Sequence, residues 1–221
     1  MTIILENIVI NELFEIDYLE IKKNNIYGIL GENGSGKSTF LKILGGQVVP
    51  SKGYISIENK TMNFSKYNIF QLNNHLNHLR KIIKYISNET EYIENATVEQ
   101  NIKYILNLNN VDYQKVKSKF IEYMTILKVK AQLNDVIKNV SFGNRKKIFL
   151  LCTFFFPYEY LLYDEPTLGL DNHSIDTFFE LVLELDKTIM VATHESLSVK
   201  KYCNTILNFS ELKTLKKVTL N

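Results

Sequence analysis

Apolar and polar positions roughly alternate over Ile3–Ile10 and again over Phe14–Ile21, the period-two rhythm of half-buried strands, and the two runs predict an antiparallel pair. Ile26–Leu30 (IYGIL) is nearly continuous in apolar character, which suits a strand covered on both faces of a parallel sheet. A glycine cluster follows, and then Ser38–Leu44, of helical composition and stopped by Gly45 and Gly46. This stretch reads as strand, loop, helix.

Between about Phe64 and Ser87 the apolar residues Ile69, Leu72, Leu76 and Leu79 recur three and four apart and predict a helix. His75 and His78 share one face of it, but no Cys or third His lies nearby, so the face reads as solvated or half-buried rather than metal-binding. Helical spacing returns with Val98, Ile102 and Ile105, then with Val116, Phe120, Tyr123 and Leu127, the two sets parted by the turn-like Asn107–Asp112. After Val140 the pattern predicts a helix over Gly143–Phe156, a strand over Tyr160–Tyr163, a helix over Ser174–Glu184 and a strand over Thr188–Ala192. Alternating strands and helices imply an α/β core with a parallel sheet. The expected arrangement is one domain, 1–221, with antiparallel N-terminal strands, a core of 1–87 and 141–221, and an inserted helical lobe at about 88–140.

Composition narrows the function. Lys plus Arg number 26 and Asp plus Glu 24, a net charge of +2 that argues against a nucleic-acid partner. The most apolar run, Ile148–Pro157, falls short of the ~20 residues that a membrane-spanning helix needs. The first residues lack a cationic stretch and carry Glu6 and Glu12, so no secretory signal is expected. Cys152 and Cys203 offer neither a disulfide framework nor a CxxC site, which reads as a reduced cytoplasmic compartment. Glycine is scarce, with 9 in 221 residues, yet Gly28, Gly31, Gly34 and Gly36 crowd together. A cluster in a glycine-poor chain marks a backbone that needs it.

Gly31-Glu32-Asn33-Gly34-Ser35-Gly36-Lys37-Ser38 fits G-x-x-x-x-G-K-[ST] completely, between a buried strand and a helix as the motif requires. Its glycines let backbone N–H groups curl round a phosphate chain while the helix aims its positive end at the same anion. Lys37 would reach the β and γ phosphates, Ser38 would hold Mg²⁺, and Thr39 joins the nucleotide-binding set. Tyr160–Glu165 is a buried strand ending in two carboxylates whose side chains diverge, so Asp164 can hold the magnesium shell while Glu165 orients or deprotonates the attacking water. An exposed Asp-Glu turn before Pro166 is the plainer reading, and the neighbouring phosphate loop weighs against it.

Over nearly its whole length the chain resembles the ATP-binding cassette (ABC) ATPases, specifically the nucleotide-binding subunits of transporters. Val140-Ser141-Phe142-Gly143-Asn144 lies where that family carries its signature Leu-Ser-Gly-Gly-Gln, Asp164–Thr167 with Gly169-Leu170-Asp171 resembles its Walker B and D-loop run, and His194 matches its switch histidine. The resemblance implies a P-loop NTPase core and a sandwich of two cassettes, homodimeric or heterodimeric, around two ATP molecules. Each nucleotide would meet Ser141 and Gly143 of the opposite subunit, with His194 on the γ-phosphate and Asp171 coupling the two sites. Aligning Tyr85-Ile86-Ser87-Asn88 with Tyr-Leu-Pro-Gln makes Asn88 the metal-contacting residue of the Q-loop, one methylene short of the family's glutamine. Phe142 replaces the first signature glycine and Asn144 the glutamine. No tyrosine occupies the adenine-stacking position; Phe14 is the nearest aromatic candidate and equally reads as a core residue.

The leading expectation is the ATPase subunit of a transporter, working with a separate transmembrane permease on the inner face of the membrane. With only 27 residues after His194 it reads as a small exporter component. The alternatives are a soluble regulator or assembly factor of the iron–sulfur type, and a pseudo-ATPase that only gates a partner.

Overall fold

The computed structural model describes residues 2–10, 13–58, 60–66, 69–89, 92–209 and 216–219. They divide into two compact units, 1–87 with 158–166 and 186–221, and 88–157 with 167–185.

The first unit holds two sheets. Strands β1 (Thr2–Ile10) and β2 (Phe14–Lys22) pair antiparallel in the predicted way, Ile3 opposite Ile21 and Ile10 opposite Phe14. Two strands that the pattern left unassigned, β4 (Lys52–Ile57) and β5 (Lys60–Asn63), complete the sheet in the order β2-β1-β4-β5. The second sheet runs β10-β9-β3-β8-β7-β6, formed by β3 (Ile26–Leu30), β6 (Ile83–Ile86), β7 (Tyr160–Asp164), β8 (Thr188–Ala192), β9 (Thr205–Asn208) and β10 (Lys216–Thr219). All its neighbours are parallel except β9 and β10. Its central strands β3, β7 and β8 are buried along almost their full length, which explains their unbroken apolar sequences. Helix α1 (Lys37–Leu44) lays Phe40, Leu41, Ile43 and Leu44 into a core shared with Ile3, Leu5, Tyr27, Ile29 and Leu162. The unit also contains α2 (Ile69–Ile82) and α7 (Ser196–Tyr202).

The helix predicted from 64 to 87 is shorter. Residues 64–66 form a turn, 67 and 68 lie outside the described residues, and the helix gives way to β6 at Ile83. Nothing in Ile82-Ile83-Lys84-Tyr85-Ile86 breaks a helix; the switch comes from pairing with β7, Ile83 against Tyr160 and Ile86 against Tyr163.

The second unit is helical: α3 (Val98–Leu108), α4 (Tyr113–Ile126), α5 (Phe142–Phe154) and α6 (Asn172–Leu183). A capping box at Thr97 and Gln100 starts α3, and the Asp112 side chain caps α4. This unit extends beyond the expected lobe at 88–140, because α5 and α6 group with α3 and α4. An aromatic chain accounts for it: Phe120 and Tyr123 of α4 meet Phe155 and Phe154, and Phe154 meets Phe178 of α6 at 5.9 Å between ring centres.

Candidate functional site

The order β3-β8-β7-β6 brings the carboxyl ends of four parallel strands to one edge of the first unit's larger sheet, where ligands bind in open α/β sheets. β3 runs directly into the phosphate loop. Gly36 ends the loop at φ +99°, and a Cβ there would stand 2.6 Å from Cδ1 of Phe14, so glycine is required both for the turn and for the ring packed beneath it. No side chain caps α1, which leaves the amides of its first turn directed at the loop. Glu32, Asn33 and Gly34 form its exposed crest and Thr39 is half-buried. Ser35 Oγ is buried with no hydrogen-bond partner, an unmet polar demand in the place where a phosphate oxygen would satisfy it. Lys37 is buried, and its Nζ donates to the carbonyls of Gly31 at 2.7 Å and Glu32 at 3.0 Å. Burial pulls its pKa below the ordinary lysine value, against the opposing attraction of Glu165 and Asp164.

Asp164 closes β7. Its Oδ1 accepts a hydrogen bond from Ser38 Oγ at 2.9 Å and its Oδ2 one from Tyr85 Oη at 2.7 Å. Ser38 and Asp164, predicted as the metal pair, therefore meet directly. Glu165 follows with φ +48°, an uncommon conformation for a non-glycine residue, pinned by its N–H donating to the Ala192 carbonyl at 2.8 Å. The same β7–β8 edge presents His194, whose Nε2 stands 3.0 Å from Glu165 Oε1. Asp164, Glu165 and His194 thus leave adjacent strand ends. Phe14, the adenine-stacking candidate, is a core residue, edge-on to Phe40 and Phe209 and almost fully buried.

The remaining predicted residues belong to the second unit. Ser141 caps α5, its Oγ accepting from Asn144 Nδ2 at 2.9 Å, and Gly143 lies in the helix's first turn. Phe142 is 56% exposed, and its ring rests on Gly169: a Cβ there would come within 2.8 Å of Phe142 Cε1. Gly169 also has φ +82°, so this turn suits glycine twice over. Asp171 caps α6 through Ser174, accepting from its N–H at 2.9 Å and its hydroxyl at 2.8 Å. Those two bonds, aided by Lys147 Nζ at 3.5 Å, hold its pKa down at about 2. Asn88 is exposed and lines a cleft of about 420 Å³ with Phe142, Arg145, Lys146 and Leu168. Tyr85 and Lys147 were missed as partners of site residues. Tyr85 sat inside a stretch read as helix, and Lys147 inside the helix predicted over Gly143–Phe156, where nothing in the spacing marks its side chain as only 10% exposed.

Residues 15–168, more than half of the chain, match a family model described as ABC transporter. The methionine import ATP-binding protein MetN 2 of Listeria monocytogenes is 27% identical over 202 residues, spanning 89% of this chain and 58% of that protein. The chain thus matches little more than half the length of that relative. The energy-coupling factor transporter ATP-binding protein EcfA1 of Mycoplasmopsis synoviae is 28% identical over 181 residues, spanning 80% of this chain and 65% of its own. Among solved structures, an ATP-binding subunit of an ABC transporter superposes with a TM-score of 0.80 at 20% identity, covering all of this chain and 90% of the other. cbiO1 of Clostridium perfringens, part of the ABC transporter complex cbiONQ, gives 0.76 at 22% identity over 98% and 88%. The α/β cassette fold is common to these structures, and by the match over residues 15–168 the chain belongs to the ABC transporter family.

Proposed function

We propose that the chain is an ATP-hydrolysing subunit that drives transport together with a separate membrane permease. The observation that carries the reading is the assembly of Lys37, Ser38, Asp164, Glu165 and His194 at one strand edge around a loop built for phosphate. Uncapped α1 amides and the unpartnered Ser35 hydroxyl would take the phosphate oxygens, and Lys37 would leave its two loop carbonyls for the β and γ phosphates. Glu165 would then orient and deprotonate the attacking water, and His194, 3.0 Å from it, would steady that water against the γ-phosphate.

Ser38 Oγ and Asp164 fit Mg²⁺, since this ion commonly takes one or two protein oxygens and completes its shell with phosphate and water. Bound there, it would neutralise charge on the β and γ phosphates. Asn88, the other expected metal contact, belongs to the second unit. In the same reading two cassettes close on two ATP molecules, each nucleotide meeting Ser141 and Gly143 of the opposite subunit.

Among the described residues no helix is long and apolar enough to cross a membrane, which fits a subunit held at the cytoplasmic face by its permease. Tyr104 and Leu108, one turn apart on α3 and both exposed, offer apolar surface for such a partner. The Listeria relative is named for import, so the export direction expected from the short segment after His194 is not carried forward.

The test is ATP turnover and nucleotide binding by wild type, Glu165→Gln and Lys37→Ala. Glu165→Gln should bind ATP and turn it over at least ~100-fold more slowly, the usual scale of general-base catalysis, while Lys37→Ala should lose binding. Unchanged turnover in the first, or unchanged affinity in the second, overturns the reading.

A further inference from the structure

Asp164 has two oxygens, and a metal held together with Ser38 needs only the one that faces the phosphate loop. The other is occupied by a group that the phosphate-loop and carboxylate motifs do not include. Tyr85 Oη donates to Oδ2 at 2.7 Å while Ser38 Oγ donates to Oδ1 at 2.9 Å, so the carboxylate is gripped from both sides. Aspartate χ2 is a broad, soft torsion, and a carboxylate at a strand end turns freely unless something fixes it.

Four features fix the tyrosine in turn. β6 pairs in parallel with β7, Tyr85 in register with Leu162, two residues before Asp164. The end of α1 lies against it: a Cβ on Gly45 would stand 3.0 Å from Tyr85 Cβ, so the helix that begins at Lys37 and Ser38 ends on the tyrosine's own Cβ. Lys42 Nζ lies 5.8 Å from the centre of its ring. The ring also packs on the core of the first unit, so the hydroxyl is the tip of a buttressed lever rather than a free side chain.

We propose that Tyr85 is a positioning residue that locks the Asp164 carboxylate so that Oδ1 alone faces the metal and the nucleotide. This rests on the proposed nucleotide function. When Ser38 Oγ turns from Oδ1 to the metal, the Tyr85 bond to Oδ2 keeps the carboxylate from following it. Groups that orient metal ligands in this way are worth about 10- to 100-fold in metal affinity or activity.

The test uses the full chain as wild type, Tyr85→Phe and Asp164→Asn. Nucleotide affinity is measured without divalent metal, Mn²⁺ binding in the presence of ATP is followed by electron paramagnetic resonance, and melting temperature is recorded. Tyr85→Phe keeps the ring and its contacts with Gly45 and Lys42 and removes only the hydroxyl. It should weaken Mn²⁺ binding by about 10-fold, leave metal-free nucleotide affinity unchanged, and shift the Mg²⁺ concentration for half-maximal turnover upward by the same factor. Asp164→Asn should lose metal binding outright. If Tyr85→Phe binds Mn²⁺ as wild type does, or if metal-free affinity and melting temperature fall together with it, Tyr85 is structural and the proposal fails. A wild-type chain that binds no nucleotide, or whose binding ignores metal, would instead remove the nucleotide function on which the proposal stands.

Discussion

Phe142 stands where the sequence resemblance leads one to expect a signature glycine, and removing it should loosen the fold slightly while tightening the proposed ATP-bound assembly. Phe142 is 56% exposed, so a little under half of it is covered, in part by the Gly169 turn. A fully buried phenylalanine hides ~150 to 250 Å², which puts the lost contact at ~90 Å². At ~25 cal/mol per Å² the cost of Phe142→Ala is ~2 kcal/mol, and Phe142→Gly adds up to ~1 kcal/mol for glycine in a helix. For a chain of this size the alanine variant should melt ~4 to 8 °C lower. Function should move the other way. Phe142 is the first residue of α5, beside amides that no helical carbonyl satisfies, and in the proposed two-cassette complex its ring would screen them from the opposite subunit's nucleotide. Sedimentation in ATP, with hydrolysis blocked by Glu165→Gln, should show stronger self-association for Phe142→Gly than for Phe142, and turnover in the otherwise native chain should rise. A fall in melting temperature with no gain in association or turnover refutes the reasoning: the ring would then serve only to hold the Gly169 turn.

Gly36→Ala forces a Cβ into Phe14 at a φ of +99°, so it should cost at least ~2 kcal/mol and abolish nucleotide binding together, measurable by thermal melting with and without ATP. Asp171, held at about 2 rather than its ordinary 3.8, supports the fold above pH ~4 and loses that support as pH falls toward 2. Its side chain is 64% exposed, so the contribution is ~1 kcal/mol and not the larger figure the shift alone implies; Asp171→Asn should keep the helix cap and flatten the acid limb of the melting curve, which a pH series of melting temperatures checks. Glu165→Gln alone should remain monomeric in ADP and associate in ATP, because in the proposed sandwich the γ-phosphate would link the loop of one copy to the signature of the other; equal sedimentation in both nucleotides contradicts that sandwich.

Much of the site was legible because its codes are local. Gly31–Ser38 are consecutive, and their spacing alone specifies a strand, a phosphate cradle and a helix. The strands β3, β7 and β8 announce themselves as short apolar runs because both of their faces are covered. Where the chain depends on partners far away, the pattern is silent or misleading. β6 follows α2 without a breaking residue, and only the ladder with β7 makes it a strand. β4 and β5 exist by pairing with β1 and with each other. The Tyr85–Asp164 bond joins residues 79 apart, and no periodicity within either segment encodes it. Phe14 and Phe142 show the same divide in single residues. A phenylalanine is compatible with a binding face or with a core, and only tertiary packing decided that the first lies under the phosphate loop while the second stands half in solvent over a glycine turn. Backbone geometry and short-range hydrogen bonding are written in neighbouring residues; burial and the orientation of a carboxylate depend on what other segments place beside them.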